Sequence, residues 1–363
     1  AASEMLYPVL PIFLTVTLGA PAAVVGAVEG AAEGVAALAR LVAGRFADRS
    51  RKRPLIAAGY GLAALGKLLI AVAFTWPLVL AARCIDRLGK GIRGTPRDAL
   101  LMVDADPAAR GRIFGVHRAA DTAGAVLGPA VGLLLYELMG HHIRPLLVVA
   151  VVPAVLSVLL VRAVHEAAPA PATPRAKDVG VEPFSSRLRV LIATLTLFGL
   201  VNFPDALLLL RAHEIGCSTG AVIGAYILYN AVYAAAAYPA GALADRFPRR
   251  LVFATGLVFF AVGYLGLGLT HEPAAVFVLL PFYGGFAACT DGVGKAWVAD
   301  LAPAGRPGGA QGVYQGLTGA TVLVSGLWAG LAWNGSGTVP LLISGAAAAA
   351  LAVVFATSNL GAD

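Results

Sequence analysis

Apolar runs of roughly twenty residues follow one another along the whole chain, separated by short polar breaks. No other feature limits the fold so tightly. A run of that length spans a bilayer as a helix, because a backbone in lipid must satisfy its own hydrogen bonds. Composition agrees: 59% of residues are hydrophobic and 13% charged, with a mean hydropathy of +0.81, whereas a soluble domain carries about 25% charged residues. The net charge of +7 maps mostly to loops between apolar segments. That excludes a nucleic-acid reading and fits the bias of basic residues towards the cytoplasmic side.

Twelve spans are predicted, at 1–18, 22–46, 55–74, 78–102, 112–136, 145–162, 188–210, 218–243, 251–270, 274–299, 310–333 and 339–357. Nearly all loop Lys and Arg fall at 45–54, 103–112, 163–189, 244–250 and 300–309, whereas the alternate loops hold only Arg144 and Arg211. Both termini and the central loop are therefore expected on the cytoplasmic side of a bacterial-type inner membrane. The first segment has no basic n-region and no small-residue cleavage site, so no cleavable signal is expected. Its length before Gly19-Ala20-Pro21 is short for a span. The three cysteines are far apart and the histidines match no ligand spacing, so no disulfide framework, metal site or cofactor is expected. No nucleophile triad appears, and Gly89-Lys90-Gly91 lacks the spacing of a phosphate loop. An enzyme is not expected.

A Pro-rich linker at 163–187 divides the chain into residues 1–162 and 188–363, six spans each. The halves repeat. Gly44-Arg-Phe-Ala-Asp48-Arg49 recurs as Gly241-Ala-Leu-Ala-Asp245-Arg246 at an offset of 197, and Pro107 and Gly115 find Pro303 and Gly312 at 196 and 197. A rival register of 205 pairs Asp86 with Asp291 and Lys90 with Lys295 but disagrees with the flanks. The register of 197 sets Lys295 opposite Asp98.

The duplicated loop, GRFADRSRKRP at 44–54 and GALADRFPRRL at 241–251, resembles the signature between spans 2 and 3, and again 8 and 9, of the major facilitator superfamily. Gly44, Asp48, Arg49, Lys52 and Arg53 match its pattern, while Arg51 and Pro248 stand where a second Gly is usual. The resemblance covers the whole chain. It implies an all-α membrane protein of twelve transmembrane helices in two pseudo-symmetric six-helix bundles. It also implies alternating access, with spans 1, 4, 7 and 10 lining the cavity and Gly44, Asp48, Arg49, Gly241, Asp245 and Arg246 latching the bundles. In that family a span 4 Arg pairs with the loop Asp, which here points to Arg97 or Arg93 with Asp48. The competing reading is a basic anchor that only sets topology.

Span 5 carries Gly124, Gly128, Pro129 and Gly132, which resembles an exporter motif of the same superfamily, with Leu133 in place of a last Gly. Ordinary small-residue packing around a proline kink is the alternative.

Span 4 is unusual. Arg83, Asp86, Arg87, Lys90, Arg93, Arg97 and Asp98 fall within an arc of about 140° on a helix of 3.6 residues per turn. Such a face is tolerated in a membrane only against protein or a water-filled cavity, so the helix is expected to line a pathway. Its excess of bases over acids suggests a substrate with an anionic group, unless Asp86, Asp98, Asp48 and Asp121 consume them. His117, Arg118 and Asp121 on span 5 read either as a proton relay or as a salt-bridge cluster. Depth matching pairs Glu29 with Lys67 and leaves Glu33 without a partner. Proton-coupling candidates are accordingly Glu4, Glu33, Asp86 and Asp121. Substrate-cavity candidates are Arg87, Lys90, Arg93, Arg118, Asn202, Asp205, Asp291 and Lys295, with an Asp291–Lys295 pair as the plainer alternative for the last two.

The expected function is proton-coupled efflux of a small molecule by a monomer, with lipid, substrate and protons as partners. Ion-coupled uptake of an organic anion, and a non-transporting scaffold or sensor on the same fold, are the alternatives.

Overall fold

The protein is described by a computed structural model for residues 2–47, 52–103, 110–161, 184–302 and 307–357. Among them, Ala2–Leu6, Leu10–Ile12 and a π-helical turn at Phe13–Thr17 make span 1, and Ala22–Ala47, Lys52–Ala71, Trp76–Val103 and Arg110–Leu138 make spans 2 to 5. Span 6 is Ile143–Val149 with Val151–Val161, and span 7 is Ser186–Gly199 with Asp205–Glu214. Thr219–Arg246, Arg249–Leu269, Pro273–Asp300, Pro307–Leu331 and Thr338–Thr357 are spans 8 to 12. Every end lies within four residues of its expected position. Spans 2, 3, 6, 8, 9, 10 and 12 are each long and apolar enough to cross a membrane unaided; span 4 is long enough but too charged.

Besides the single-residue interruption of span 6 at Ala150, spans 1 and 7 are broken, for identifiable reasons. In span 1, Pro8 has no N–H to give and Pro11 opens a new turn. The chain then widens, so that Leu18 N–H bonds to the Phe13 carbonyl at 3.0 Å and Thr15 Oγ1 donates to the Pro11 carbonyl at 2.9 Å. In span 7 the helix stops before Pro204. The carbonyls of the interrupted segment are met by side chains from its own half: Trp328 Nε1 donates to Leu200 O at 2.7 Å, Ser325 Oγ to Asn202 O at 3.2 Å, and Tyr264 OH to Phe203 O at 3.4 Å. Irregular backbone at membrane depth requires such partners.

The packing repeats with a shift of six spans. Span 4 packs on spans 2 and 3 and span 3 on span 6; span 10 packs on spans 8 and 9 and span 9 on span 12. Between the halves, span 2 meets span 11 and span 5 meets span 8. Close approaches fix the register. A Cβ at Gly66 would meet Ala82 O and Asp86 N, and one at Gly263 would meet Leu279 O and Tyr283 N. A Cβ at Gly59 would meet Gly89 O, and one at Gly256 Phe286 O. Each member of these pairs is 197 residues from its equivalent. The register of 205 is therefore excluded, and Asp86 corresponds to Tyr283.

The two ends of the molecule differ. We call the end bearing the connections from span 2 to 3, 4 to 5, 8 to 9 and 10 to 11 the linker face, and the opposite end the far face. At the far face the halves touch closely: a Cβ at Gly26 would overlap the Gly326 carbonyl, one at Gly330 would lie 2.7 Å from Ala23 Cα, and one at Gly220 would lie 3.1 Å from Glu137 Oε1. Small residues permit this approach. Gly132 makes a similar contact within the first half, where a Cβ would press on Met5; helix Arg110–Leu138 continues through Pro129.

Candidate functional site

The charged face of span 4 does not simply line a channel. Arg83, Asp86 and Arg87 are buried, along with Glu29 of span 2 and Lys67 of span 3. Arg83 grips Glu29 with a two-pronged bond, Nε to Oε1 at 2.7 Å and a terminal nitrogen to Oε2 at 3.0 Å. Its other nitrogen reaches Asp86 Oδ2 at 3.4 Å, while Lys67 Nζ donates to Asp86 Oδ1 at 2.5 Å. Arg87 lies 3.7 Å from Glu29 and 3.3 Å from Glu33, although its buried Nε completes no well-formed hydrogen bond. Planar guanidinium forks suit such shared carboxylates. A buried charge needs this degree of pairing to persist.

This network corrects two expectations. Lys67 pairs with Asp86 rather than Glu29, because depth alone does not say which way a side chain points around its helix. Glu33 is not without a partner; it stands between Arg87 and Arg40, the latter at 3.7 Å. Arg93 turns aside to stack on Tyr60, 4.2 Å from its ring centre. Arg97 lies 3.8 Å from Asp121 on span 5, which favours a cluster tying spans 4 and 5. Asp48, Arg49 and the side chains of Asp98, His117 and Arg118 lie outside the described residues. The second loop places Asp245 and Arg246 at the exposed surface, with open space around Gly241. There Arg249 clamps Asp300 at the end of span 10, at 2.5 and 3.4 Å.

In the second half tyrosines take the place of charges. At an offset of 197, Glu29 corresponds to Tyr226, Glu33 to Asn230 and Asp86 to Tyr283. Asp205, at the start of the second piece of span 7, accepts hydrogen bonds from Tyr283 OH at 2.9 Å and Tyr229 OH at 3.4 Å. Its described hydrogen-bond partners are these hydroxyls, with no ion pair. The rings continue towards the first half: Tyr283 to Tyr229 at 5.3 Å, Tyr229 to Tyr226 at 5.7 Å, and Tyr226 to Tyr7 of span 1 at 5.5 Å. Arg83 lies 5.6 Å over Tyr7. Tyr226 OH donates to Glu4 at 2.9 Å. This side-chain hydrogen bond joins the two halves. Sequence reasoning missed the tyrosines, which look like core residues; the repeat register is the signal that marks Tyr226 and Tyr283.

The remaining candidates separate by exposure. Lys90 is exposed and, among the described residues, has no hydrogen-bond or ion-pair partner. Asp291 accepts from Tyr233 OH at 3.1 Å and is exposed, as is Lys295. Asn202 sits in the span 7 break with Oδ1 buried and unpartnered. A separate groove of about 540 Å³ at the far face is lined by Val16, Pro21, Glu214 and Trp333 among others.

Comparison with known proteins agrees with this architecture. The sequence matches the family model described as Major Facilitator Superfamily over residues 1–229 and 190–359. The chain belongs to the major facilitator superfamily and is a membrane transporter of that fold, not an enzyme. It is 31% identical over 359 residues to an uncharacterized MFS-type transporter of Methanocaldococcus jannaschii, covering 95% of this chain and 89% of that protein. Multidrug resistance protein MdtL of Klebsiella pneumoniae is 26% identical over 310 residues, 82% of this chain and 76% of that protein. The crystal structure of the nucleoside transporter NupG superposes with a TM-score of 0.80 at 15% identity, over 98% of this chain and 95% of that one. A D-xylose-proton symporter superposes with a TM-score of 0.76 at 15% identity, over 98% and 93%.

Proposed function

We propose that this chain, acting as a monomer, exports a small molecule bearing an anionic group in exchange for protons. The bundles of residues 1–162 and 188–363 would alternate access to a site at their seam. The observation that carries the reading is that Glu4, Lys90 and Asp205 are ionisable groups that form no ion pair among the described residues, with Glu4 accepting across the seam from Tyr226. Lys90 receives the anionic group and Glu4 carries the proton, since a proton on Glu4 alters the hydrogen bond to Tyr226 that spans the seam. Glu33, Asp86 and Asp121, held by bases, serve as frame. Asn202, Asp291 and Lys295 belong to the opposite wall of the cavity.

The basic loops support a linker face on the cytoplasmic side of a bacterial-type inner membrane. With the far face packed shut and Lys90 accessible, the structure then represents a state open inwards. Gly44, Asp48, Arg49, Arg97, Gly241, Asp245 and Arg246 would close the linker face in the other state. The likeness to multidrug resistance proteins and the span 5 pattern of Gly124, Gly128, Pro129 and Gly132 support export. Proteoliposomes with an imposed pH gradient test the proposal: export should follow the gradient and fall at least about tenfold, or about 1.4 kcal/mol, in Glu4→Gln. Gradient-driven flux in the opposite sense would mean uptake, and no flux of any compound would mean a scaffold or sensor.

A further inference from the structure

The proposed site has a second pole that the export reading leaves unused. Asp205 sits at the seam with hydroxyl donors but no base, and it is half-buried rather than sealed. Tyr229 and Tyr283 bond to it, Tyr226 and Tyr7 extend the aromatic wall, and the charge of Asp291 on span 10 also acts on it. Three residues before it, Asn202 Oδ1 is a buried acceptor with no donor. The segment therefore offers acceptors in excess of the donors it supplies. A carboxylate held by phenol hydroxyls, with no base beside it among the described residues, suits an organic ammonium group, which gains from the negative charge and can pack against the neighbouring rings.

We infer that Asp205 and its tyrosine wall receive a protonated amine, so that the cargo is a zwitterion: its anionic end is held by Lys90 of span 4 and its cationic end by Asp205 of span 7. This rests on the transport reading above and adds a substrate class to it. The two poles belong to different bundles, so a cargo bound at both would connect them. A zwitterion compensates both poles without changing the net charge of the cavity. Cargo with a single charge leaves one pole empty. Glu4, engaged by Tyr226, remains available to the proton.

A thermal-shift screen of the purified full chain in detergent tests this with matched aromatic probes. These are the free aromatic amino acids, their N-acetyl derivatives, their methyl esters, and their N-acetyl methyl esters. The free amino acids are expected to raise the melting temperature most and the doubly blocked forms least. Asp205→Asn should abolish the advantage of a free amine while leaving the response to N-acetyl forms, and Lys90→Gln should abolish the advantage of a free carboxylate while leaving the response to methyl esters. Asp205→Glu, which keeps the charge, should restore part of the amine preference; a variant that fails to elute as a monodisperse peak is replaced by Tyr229→Phe, which removes one donor to the carboxylate and should shift amine affinity alone. Equal shifts across all four classes, no shift with any of them, or loss in Asp205→Asn that ignores the amine overturns the inference. Retained charge-class selectivity without gradient-driven flux would instead overturn only the proton-exchange reading.

Discussion

Arg83 ties two acids of the first bundle's charge network together, because it touches Glu29 and Asp86 at once. Removing one partner of a buried pair leaves the other desolvated and uncompensated, at a cost of about 3–5 kcal/mol. Arg83→Leu should therefore lower stability by roughly that amount in detergent unfolding, and adding Glu29→Leu should recover much of the loss. Lys90→Ala makes the opposite case. With no partner to orphan, it should change stability by less than about 0.5 kcal/mol while severely reducing transport in proteoliposomes. The sequence makes the charges of span 4 plain but not their partners. A helical wheel gives their spread around one helix, whereas pairing depends on how that helix is rotated against spans 2 and 3. This is why depth matching gives Glu29 the wrong base and Glu33 none.

At the scale of elements, the seam between spans 2 and 11 is set by glycine. A side chain at Gly26 has nowhere to go but into the Gly326 backbone, so Gly26→Val should displace the population towards a state with the far face open. Labelling of single cysteines near the far-face ends of spans 2 and 11 should rise accordingly. Gly34, on the same span with no atom within reach of a Cβ, supplies the control: Gly34→Ala should be neutral or stabilising by up to about 1 kcal/mol. The break in span 7 depends on side-chain donors, so Trp328→Phe, which strands the Leu200 carbonyl, should cost about 1–3 kcal/mol in thermal unfolding. Span limits are legible because apolar length and basic loops are local signals. The break is signalled only by Pro204, and what stabilises it comes from spans 9 and 11, more than sixty residues distant in sequence.

For the whole molecule, transport by alternating access requires the far-face seam to part. Ala23→Cys with Gly330→Cys should form a disulfide across spans 2 and 11, stop transport, and release it on reduction. The repeat makes this motion interpretable, since the contacts obey one offset of 197 in both bundles while the chemistry does not. Three acids and three bases occupy the first bundle's interior, Glu29, Glu33 and Asp86 against Lys67, Arg83 and Arg87, and the equivalent positions of the second hold Tyr226, Asn230, Tyr283, Tyr264, Leu280 and Gly284, all uncharged. Because that block is electrically neutral, a membrane voltage does no net work on it as the bundle rocks, although each unit charge moved through about 100 mV would otherwise be worth about 2.3 kcal/mol. Voltage acts on the cycle through Glu4, Lys90, Asp205 and what they carry. A cargo of zero net charge exchanged for protons makes each turnover electrogenic by its protons alone.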